Sequence, residues 1–122
     1  MIPKWAQELT LKACIWWEKQ GHATEIPDIM WKHSKYSKQS SGKCYSDSIS
    51  ITSGTDRKDA KLVVLHELAH WFNPAEHHGL AFWQTAWELY KWAGLPINYC
   101  KRREYPYKKT AKLAYQKLKK VK

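Results

Sequence analysis

The chain has 122 residues, of which 43% are hydrophobic, and this length suits one domain with a single modest core. Its formal net charge is +10, and the charge is uneven: residues 1–100 hold 11 Lys and Arg against 10 Asp and Glu, whereas residues 101–122 hold 10 against one acid, Glu104. Three cysteines without a CxxC pair argue against a disulfide framework and against a zinc ribbon. We therefore predict a domain over 1–100 and a basic, helical tail over 101–122.

The N-terminal segment predicts an amphipathic helix. Pro3 suits a first helical turn, apolar residues recur every three to four positions from Trp5 to Trp17, and Gly21 is a natural stop. Charged and polar residues interrupt this segment, so it lacks the apolar core of a signal peptide or a spanning helix. We expect a cytoplasmic or nucleoid-associated protein that is neither secreted nor in contact with a membrane.

The next segment has the texture of short strands. Ser, Lys, Tyr and Ile alternate between Ile26 and Ser53, broken by Pro27 and by the sequence SSGK. We predict strands near 29–36, 42–46 and 48–52, including a hairpin. In the last of these, Ile49 and Ile51 alternate with serines, as in a strand with one buried face.

The second half predicts helices. Thr55 or Asp56 can cap a helix that ends at Trp71 or Phe72, and Asn73 with Pro74 can start the next, which stops near Gly94. A basic helix follows Pro106. The expected fold class is α+β, with an N-terminal helix, a small and mostly antiparallel three-stranded sheet, and three further helices.

Residues 66–70, HELAH, carry the strongest chemical signal. Residues four apart share one face of a helix, so His66 and His70 can both direct an imidazole at one cation. Glu67 then lies beside the metal, where it can act as a general base. The motif lies in an apolar run, where histidines and a glutamate without partners would carry a burial cost. We predict a zinc site with Glu67 as the catalytic residue.

A catalytic zinc site needs a third protein ligand and an open position for water. The residues downstream leave four candidates for this ligand: Glu76, His77, His78 and Glu88. Spacing alone does not choose among them.

The combination of HELAH with HGLAF at residues 78–82 resembles the SprT-like (Spartan-type) zinc metallopeptidases. The preceding SSGKCYSDSISITSG is also similar to the small sheet of that family. The resemblance spans roughly residues 26–93 and implies a zincin-like fold, one Zn²⁺ per chain, and His78 as the third ligand. The cysteine-rich ribbon that many members carry is missing.

The resemblance also implies a reaction and a substrate. The reaction is hydrolysis of peptide bonds by a zinc-bound water that Glu67 activates, and the implied substrate is a protein or peptide. The strand before the active-site helix would pair with extended substrate, which assigns this role to Ser48, Ile49, Ser50 and Ile51. Tyr45, His77 and Tyr99 are open candidates for the group that stabilises the oxyanion.

The basic tail predicts a polyanion partner, with DNA the first candidate, because lysine and arginine neutralise phosphates without reading bases. The candidate residues are Lys101, Arg102, Arg103, Lys108, Lys109 and Lys112. The predicted function is therefore a zinc metallopeptidase that acts on DNA-associated proteins. Two alternatives are a repressor-cleaving metallopeptidase of the ImmA/IrrE type and a noncatalytic nucleic-acid-binding module with structural zinc.

Overall fold

The computed structural model describes residues 2–37, 39–75, 78–104 and 109–121, and the side chains of all of these except Thr110 and residues 117–121. These residues form an α+β fold with five helices and one three-stranded sheet, as the sequence predicts apart from one additional helix. In chain order the elements are α1 (Lys4–Lys19), β1 (Asp28–His33), β2 (Ser41–Cys44), β3 (Ser48–Ser53), α2 (Arg57–Phe72), α3 (Leu80–Trp92), α4 (Ile97–Glu104) and α5 (Lys109–Val121).

Helix α1 begins and ends where the sequence predicts. Pro3 is its N-cap residue, and the chain leaves the helix through Gly21, whose φ of 92° is a conformation that favours glycine. The partly buried Trp5, Trp16 and Trp17 pack against the core. None of the helices in the described ranges is long and apolar enough to cross a membrane.

The sheet has the strand order β1-β3-β2, with β3 in the centre. Strand β2 pairs with β3 in antiparallel register, forming the predicted hairpin, whereas β1 pairs with β3 in parallel. The prediction of a mostly antiparallel sheet is therefore wrong for one of the two pairings. Its physical reason is that β3 lies between β1 and β2, so β1 forms no hairpin with its neighbour in sequence. Strand β1 also ends at His33, three residues before the predicted end.

One face of the sheet packs on α2. Ile49 and Ile51 of β3 are fully buried, and their partners in register on β2 are Cys44 and Gly42. The residues that alternate with these isoleucines, such as Ser50 and Thr52, lie on the other face of the sheet and are more exposed. The predicted alternation of isoleucine and serine therefore corresponds to an inner and an outer face.

Helix α2 is the central element of the core. Its N-cap is Asp56, one of the two predicted residues, whose side chain accepts hydrogen bonds from the backbone N–H groups of Lys58 and Asp59. The helix contacts the sheet, α1 and α3, and most of its residues are buried. Because α2 is enclosed in this way, nearly all of its sides are buried. The polar residues of the HELAH motif therefore have to be held by partners inside the protein.

The connection after α2 differs from its prediction. Asn73 is the C-cap residue of α2, and its side chain donates to the carbonyl of Ala69 instead of capping a following helix. Helix α3 starts only at Leu80, with Gly79 as N-cap. The predicted helix start at Pro74 is therefore wrong, because the Asn73 amide satisfies the end of the preceding helix. His78 consequently lies in the connection just before α3.

Helix α4 was not expected from the sequence, and it crosses position 100/101, where the domain was predicted to end. Its two buried residues are Cys100 and Glu104. Helix α5 packs on α3 through the buried Ala111 and Ala114, and the indole N–H of Trp87 donates to the carbonyl of Ala111 over 2.8 Å. The C-terminal segment thus contributes to the core.

Asp59 ties α2 to α4 and to the residue before β2. Its buried carboxylate accepts from the Tyr99 hydroxyl over 3.0 Å, from the Arg103 guanidinium over 2.9 Å, and from the backbone N–H of Ser40. Burial, followed by this hydrogen bond to Asp59, raises the pKa of Tyr99, so its hydroxyl stays a donor. One carboxylate therefore holds three separate segments together.

Replacing Asp59 with alanine is expected to lower the free energy of unfolding by about 3 kcal/mol, because one buried and two partly buried donors lose their acceptor. The exposed Asp28 at the start of β1 provides a control, and Asp28→Ala should cost less than about 0.5 kcal/mol. Urea unfolding followed by circular dichroism measures both values. Equal effects of the two substitutions would contradict the structural role of Asp59.

Candidate metal centre

Three histidines from two neighbouring segments converge on one point. The Nε2 atom of His78 lies 3.3 Å from Nε2 of His66 and 3.2 Å from Nε2 of His70. One ring nitrogen from each residue lies within 4.8 Å of the other two. The structure therefore confirms that His66, His70 and His78 are close enough to bind one metal ion.

The distances from the His78 nitrogen to the other two nitrogens fit a tetrahedral metal site. With metal–nitrogen bonds of about 2.0–2.1 Å, two ligands of a tetrahedral ion stand roughly 3.3 Å apart. A neutral imidazole Nε2 either donates one hydrogen or accepts one, so the Nε2 atom of His78 cannot satisfy both close contacts equally well. A single cation satisfies all three nitrogens, and this donor set is one that Zn²⁺ favours.

Glu104 sets the tautomer of His66. Its Oε2 atom lies 2.8 Å from Nδ1 of His66, and both side chains are buried. A carboxylate can only accept, so Nδ1 carries the hydrogen and Nε2 presents its lone pair to the other two histidines. This carboxylate–histidine arrangement is the usual support of a histidine metal ligand.

Tyr90 completes the support of His66. Its fully buried hydroxyl donates to the same Oε2 atom of Glu104 over 2.9 Å. Burial, with Glu104 adding to it, raises the pKa of Tyr90 well above the usual value, so the hydroxyl stays protonated and remains a donor. The carboxylate is thereby held in one orientation.

Aromatic rings hold the other two histidines. Phe82 stacks on the ring of His70 with centroids 4.1 Å apart, and Trp83 stacks on His78 at 5.7 Å. Both aromatic side chains are fully buried on α3. Phe82 thus packs against the candidate metal centre.

Glu67 lies inside the protein next to β2. Only 6% of its surface is exposed. Burial raises the pKa of its carboxyl group above the usual value, His66 opposes this shift, and Glu104 adds to it. A β-carbon built on Gly42 would lie 3.0 Å from Oε2 of Glu67, so the carboxylate rests directly against the strand.

A cleft of about 680 Å³ opens at the three histidines and Glu67. Its other lining residues come from β2 and the turn after it, and from the end of α2 and the connection beyond: Gly42, Lys43, Cys44, Tyr45, Ser46, Trp71 and Pro74. The indole N–H of Trp71 donates to the carbonyl of Glu25 over 2.8 Å, which fixes that wall. The lining of the cleft combines polar and aromatic side chains.

The strand beside the cleft is β2, and this corrects the predicted location of the substrate strand. The residues predicted for that role, Ser48, Ile49, Ser50 and Ile51, lie in β3. Strand β3 is hydrogen-bonded to β1 on one edge and to β2 on the other, so its backbone has no free edge for a substrate. Strand β2 is an edge strand of this sheet, and its residues Gly42, Lys43 and Cys44 line the cleft.

The structure places the remaining candidates for the third ligand and for the oxyanion donor in different surroundings. Glu88 lies on α3 outside the three-histidine group, and Glu76 and His77 fall outside the described residues. The Tyr99 hydroxyl is already bound to Asp59, whereas Tyr45 lines the cleft. Tyr45 is therefore the described candidate closest to the required position.

The predicted nucleic-acid residues occupy different environments. Arg102, Lys109 and Lys112 are exposed, whereas Arg103 pairs with Asp59 and the ammonium of Lys101 lies 4.4 Å from the ring centroid of Tyr115. Lys108 falls outside the described residues. DNA binding by this segment stays a prediction.

Sequence reasoning missed Glu104, Tyr90 and Gly42. The signal for Glu104 was its isolation, as the one acid among 10 basic residues in the last 22. Nothing in the sequence links it to His66, which lies 38 residues earlier.

Glu104→Gln is expected to weaken metal binding by about 10-fold or more, because the neutral amide supports the imidazole less well than the carboxylate. Competition with a chromophoric chelator measures the affinity of the purified protein. Glu88→Gln is the matched control, since this half-buried residue of α3 lies outside the histidine group, and its affinity should equal that of wild type. Unchanged affinity in Glu104→Gln would exclude the assigned support role.

Comparison with known proteins gives no assignment: no family model, no curated protein and no solved structure matches this chain significantly.

Proposed function

We propose that the protein is a zinc-dependent metallopeptidase. The observation that carries this proposal is the arrangement of one cleft, in which three converging histidine nitrogens and a buried glutamate lie beside the free edge of β2. A structural zinc site needs neither the glutamate nor a cleft. Both features are expected for hydrolysis.

The sequence resemblance supports a zincin-like fold of the SprT type. The HELAH residues lie on α2, His78 lies between α2 and α3, and a small sheet precedes both. These elements agree with what the resemblance implies for residues 26–93. The support is the joint occurrence of motif, chain order and converging histidines.

Each residue of the candidate metal centre has its own role in the proposed reaction. Zn²⁺, when bound, lowers the pKa of a water and polarises a carbonyl oxygen. His66, His70 and His78 hold the ion, and Glu104 orients His66. Glu67 accepts the proton of the attacking water and passes it to the departing amine. Tyr45, on the cleft wall, is the donor we assign to the carbonyl oxygen.

The proposed substrate is an extended protein segment that adds to the edge of β2. Main-chain hydrogen bonds to an edge strand bind a peptide without requiring a particular side chain. Such a segment would lie next to Glu67, because this carboxylate packs against Gly42 of the same strand. Broad specificity with a preference for unfolded regions follows from this mode of binding.

We also propose that the substrates include proteins bound to DNA. The support is the excess of positive charge after residue 100, with Arg102, Lys109 and Lys112 exposed on α4 and α5. Contacts of this kind fall steeply with salt concentration. DNA would therefore act as a recruiting surface and not as a substrate.

The test is hydrolysis of unfolded casein and of a histone by the zinc-loaded protein, with and without single-stranded DNA. We expect cleavage that stops on addition of a chelator and returns with Zn²⁺, and that increases for the histone when DNA is present. Cleavage of one repressor with sparing of casein would favour the ImmA/IrrE-type alternative. Salt-sensitive DNA binding without any hydrolysis would replace the proposal by the noncatalytic module.

A further inference from the structure

We propose that Gly42 is a positioning residue for Glu67, because its missing side chain lets β2 lie against the glutamate and hold the carboxylate at the histidine centre. This inference rests on the proposed function, in which Glu67 is the general base. It concerns a residue of β2 that takes part in no chemistry itself.

The space around Gly42 has no room for a side chain. A β-carbon built there would lie 2.8 Å from Cγ of Glu67, 2.9 Å from Cγ1 of Val63 and 3.0 Å from Oε2 of Glu67. Ordinary van der Waals contacts of a β-carbon are 3.4–4 Å. Two of the three nearest atoms therefore belong to the glutamate.

Glycine is required at this position for close approach and not for backbone conformation. Gly21 and Gly94 are the described glycines with a positive φ, and Gly42 is not among them. It lies inside a strand, where glycine weakens the sheet and usually marks a place where another group comes close. Here that group is the carboxylate of Glu67.

The three neighbours of an added methyl group differ in how easily they move. Val63 is β-branched and lies on the buried part of α2, where one rotamer dominates, so it stays in place. The backbone of β2 is held by its antiparallel pairing with β3, in which Gly42 is opposite Ile51. Glu67 borders the open cleft, and its unbranched side chain has space to rotate.

A methyl group at position 42 would therefore displace Glu67, and its approach of 2.9 Å to the fixed Val63 would also shift β2 slightly away from α2. None of the three atoms nearest the added β-carbon belongs to a histidine, so the metal site keeps its three nitrogens. A shift of about 1 Å in a catalytic group is enough to lower a rate about 100-fold. Gly42 thus acts on the rate through Glu67.

The experiment compares Gly42→Ala with wild type in metal content, kcat and KM on an unfolded protein substrate. We expect unchanged zinc content, a kcat lower by roughly 10- to 100-fold, and a KM within about threefold of wild type. Ser41→Thr is the matched control, because it adds a methyl group to the neighbouring residue of β2, whose exposed side chain lies outside the cleft lining. Its kcat should equal that of wild type.

A spectroscopic measurement keeps the test independent of turnover. The visible spectrum of the Co²⁺-loaded protein reports the ionisation at the metal's open position, and its pH midpoint should move in Gly42→Ala in the direction seen for Glu67→Gln. Ser41→Thr should keep the wild-type midpoint. If wild type is inactive, the proposed function fails, while this midpoint still decides whether Gly42 positions Glu67.

A double substitution provides a test in case Gly42→Ala does not fold. If Gly42→Ala does not fold, Gly42→Ala combined with Glu67→Ala is expected to fold and bind Zn²⁺ like Glu67→Ala alone, since two of the three close contacts of the added methyl group are removed. A wild-type kcat with an unmoved Co²⁺ midpoint in Gly42→Ala would overturn the inference. A rise in KM that accounts for the whole loss, or failure of the double variant to fold, would also overturn it.

Discussion

His78→Ala is expected to abolish metal binding, reducing the content from about one zinc ion per chain to almost none after dialysis against a weak chelator. Only His66 and His70 would remain, and a two-ligand site holds Zn²⁺ too weakly to survive dialysis. The affinity for zinc should fall by more than ~100-fold, which is the upper end of the loss caused by substituting a residue that supports a metal ligand. Hydrolysis should disappear with the metal. Elemental analysis of the purified protein gives the metal content directly.

Two histidine variants serve as controls for this prediction. His33 is exposed at the end of β1, so His33→Ala should retain its zinc. His77→Ala tests the neighbouring residue, which falls outside the described part of the chain, and it should retain zinc as well. Loss of metal in His77→Ala together with retention in His78→Ala would show that the third ligand has been assigned to the wrong histidine.

Glu67→Gln is expected to separate metal binding from catalysis. The amide has nearly the same shape as the carboxylate but cannot accept a proton, so hydrolysis should fall by about 10²- to 10⁴-fold. Zinc content should stay at the wild-type level, because Glu67 is not one of the three converging residues. Rates on a fluorogenic peptide and metal analysis of the same samples measure both quantities.

The control for Glu67→Gln is Glu88→Gln, which makes the same chemical change on α3 away from the histidines. Its rate should match that of wild type. Burial also raises the pKa of Glu88, with Lys91 opposing the shift, and Glu88 is only half-buried. A Glu67→Gln protein with full activity would remove the general base from the proposed mechanism.

Local signals in the sequence were enough to predict the helices that have clear boundaries. Asp56 supplies an N-cap, Gly21 and Gly94 end their helices, and the alternation of Ile49 and Ile51 with serines marks β3. Each of these features depends on a few neighbouring residues. The structure places them within a few residues of the predicted positions.

Long-range features of the fold could not be predicted in the same way. The parallel pairing of β1 with β3 depends on which strand lies in the centre, and no residue within β1 records that choice. Helix α4 buries only Cys100 and Glu104, so it lacks the apolar periodicity by which helices are recognised. It is formed by contacts with Asp59 and His66, which are distant in sequence.

The residues of the candidate metal centre show the same difference between local and long-range features. The HELAH spacing alone predicts that His66 and His70 share a face, and the resemblance adds His78. The supports of these residues come from elsewhere: Glu104 from α4, Tyr90 from α3, and the close approach of Gly42 from β2. Their roles depend on packing between elements, which a motif does not record.

The adjacent residues Arg103 and Glu104 have a thermodynamic consequence. Arg103 binds Asp59 near the start of α2, and Glu104 binds His66 at the metal centre, so α4 is fastened to α2 by two charged contacts. A ligand that binds only the folded arrangement stabilises every contact that arrangement requires. Metal binding and the docking of α4 are therefore linked equilibria. Binding of the metal ion should slow amide hydrogen exchange in α4. The ion should also dissociate more readily when α4 is undocked.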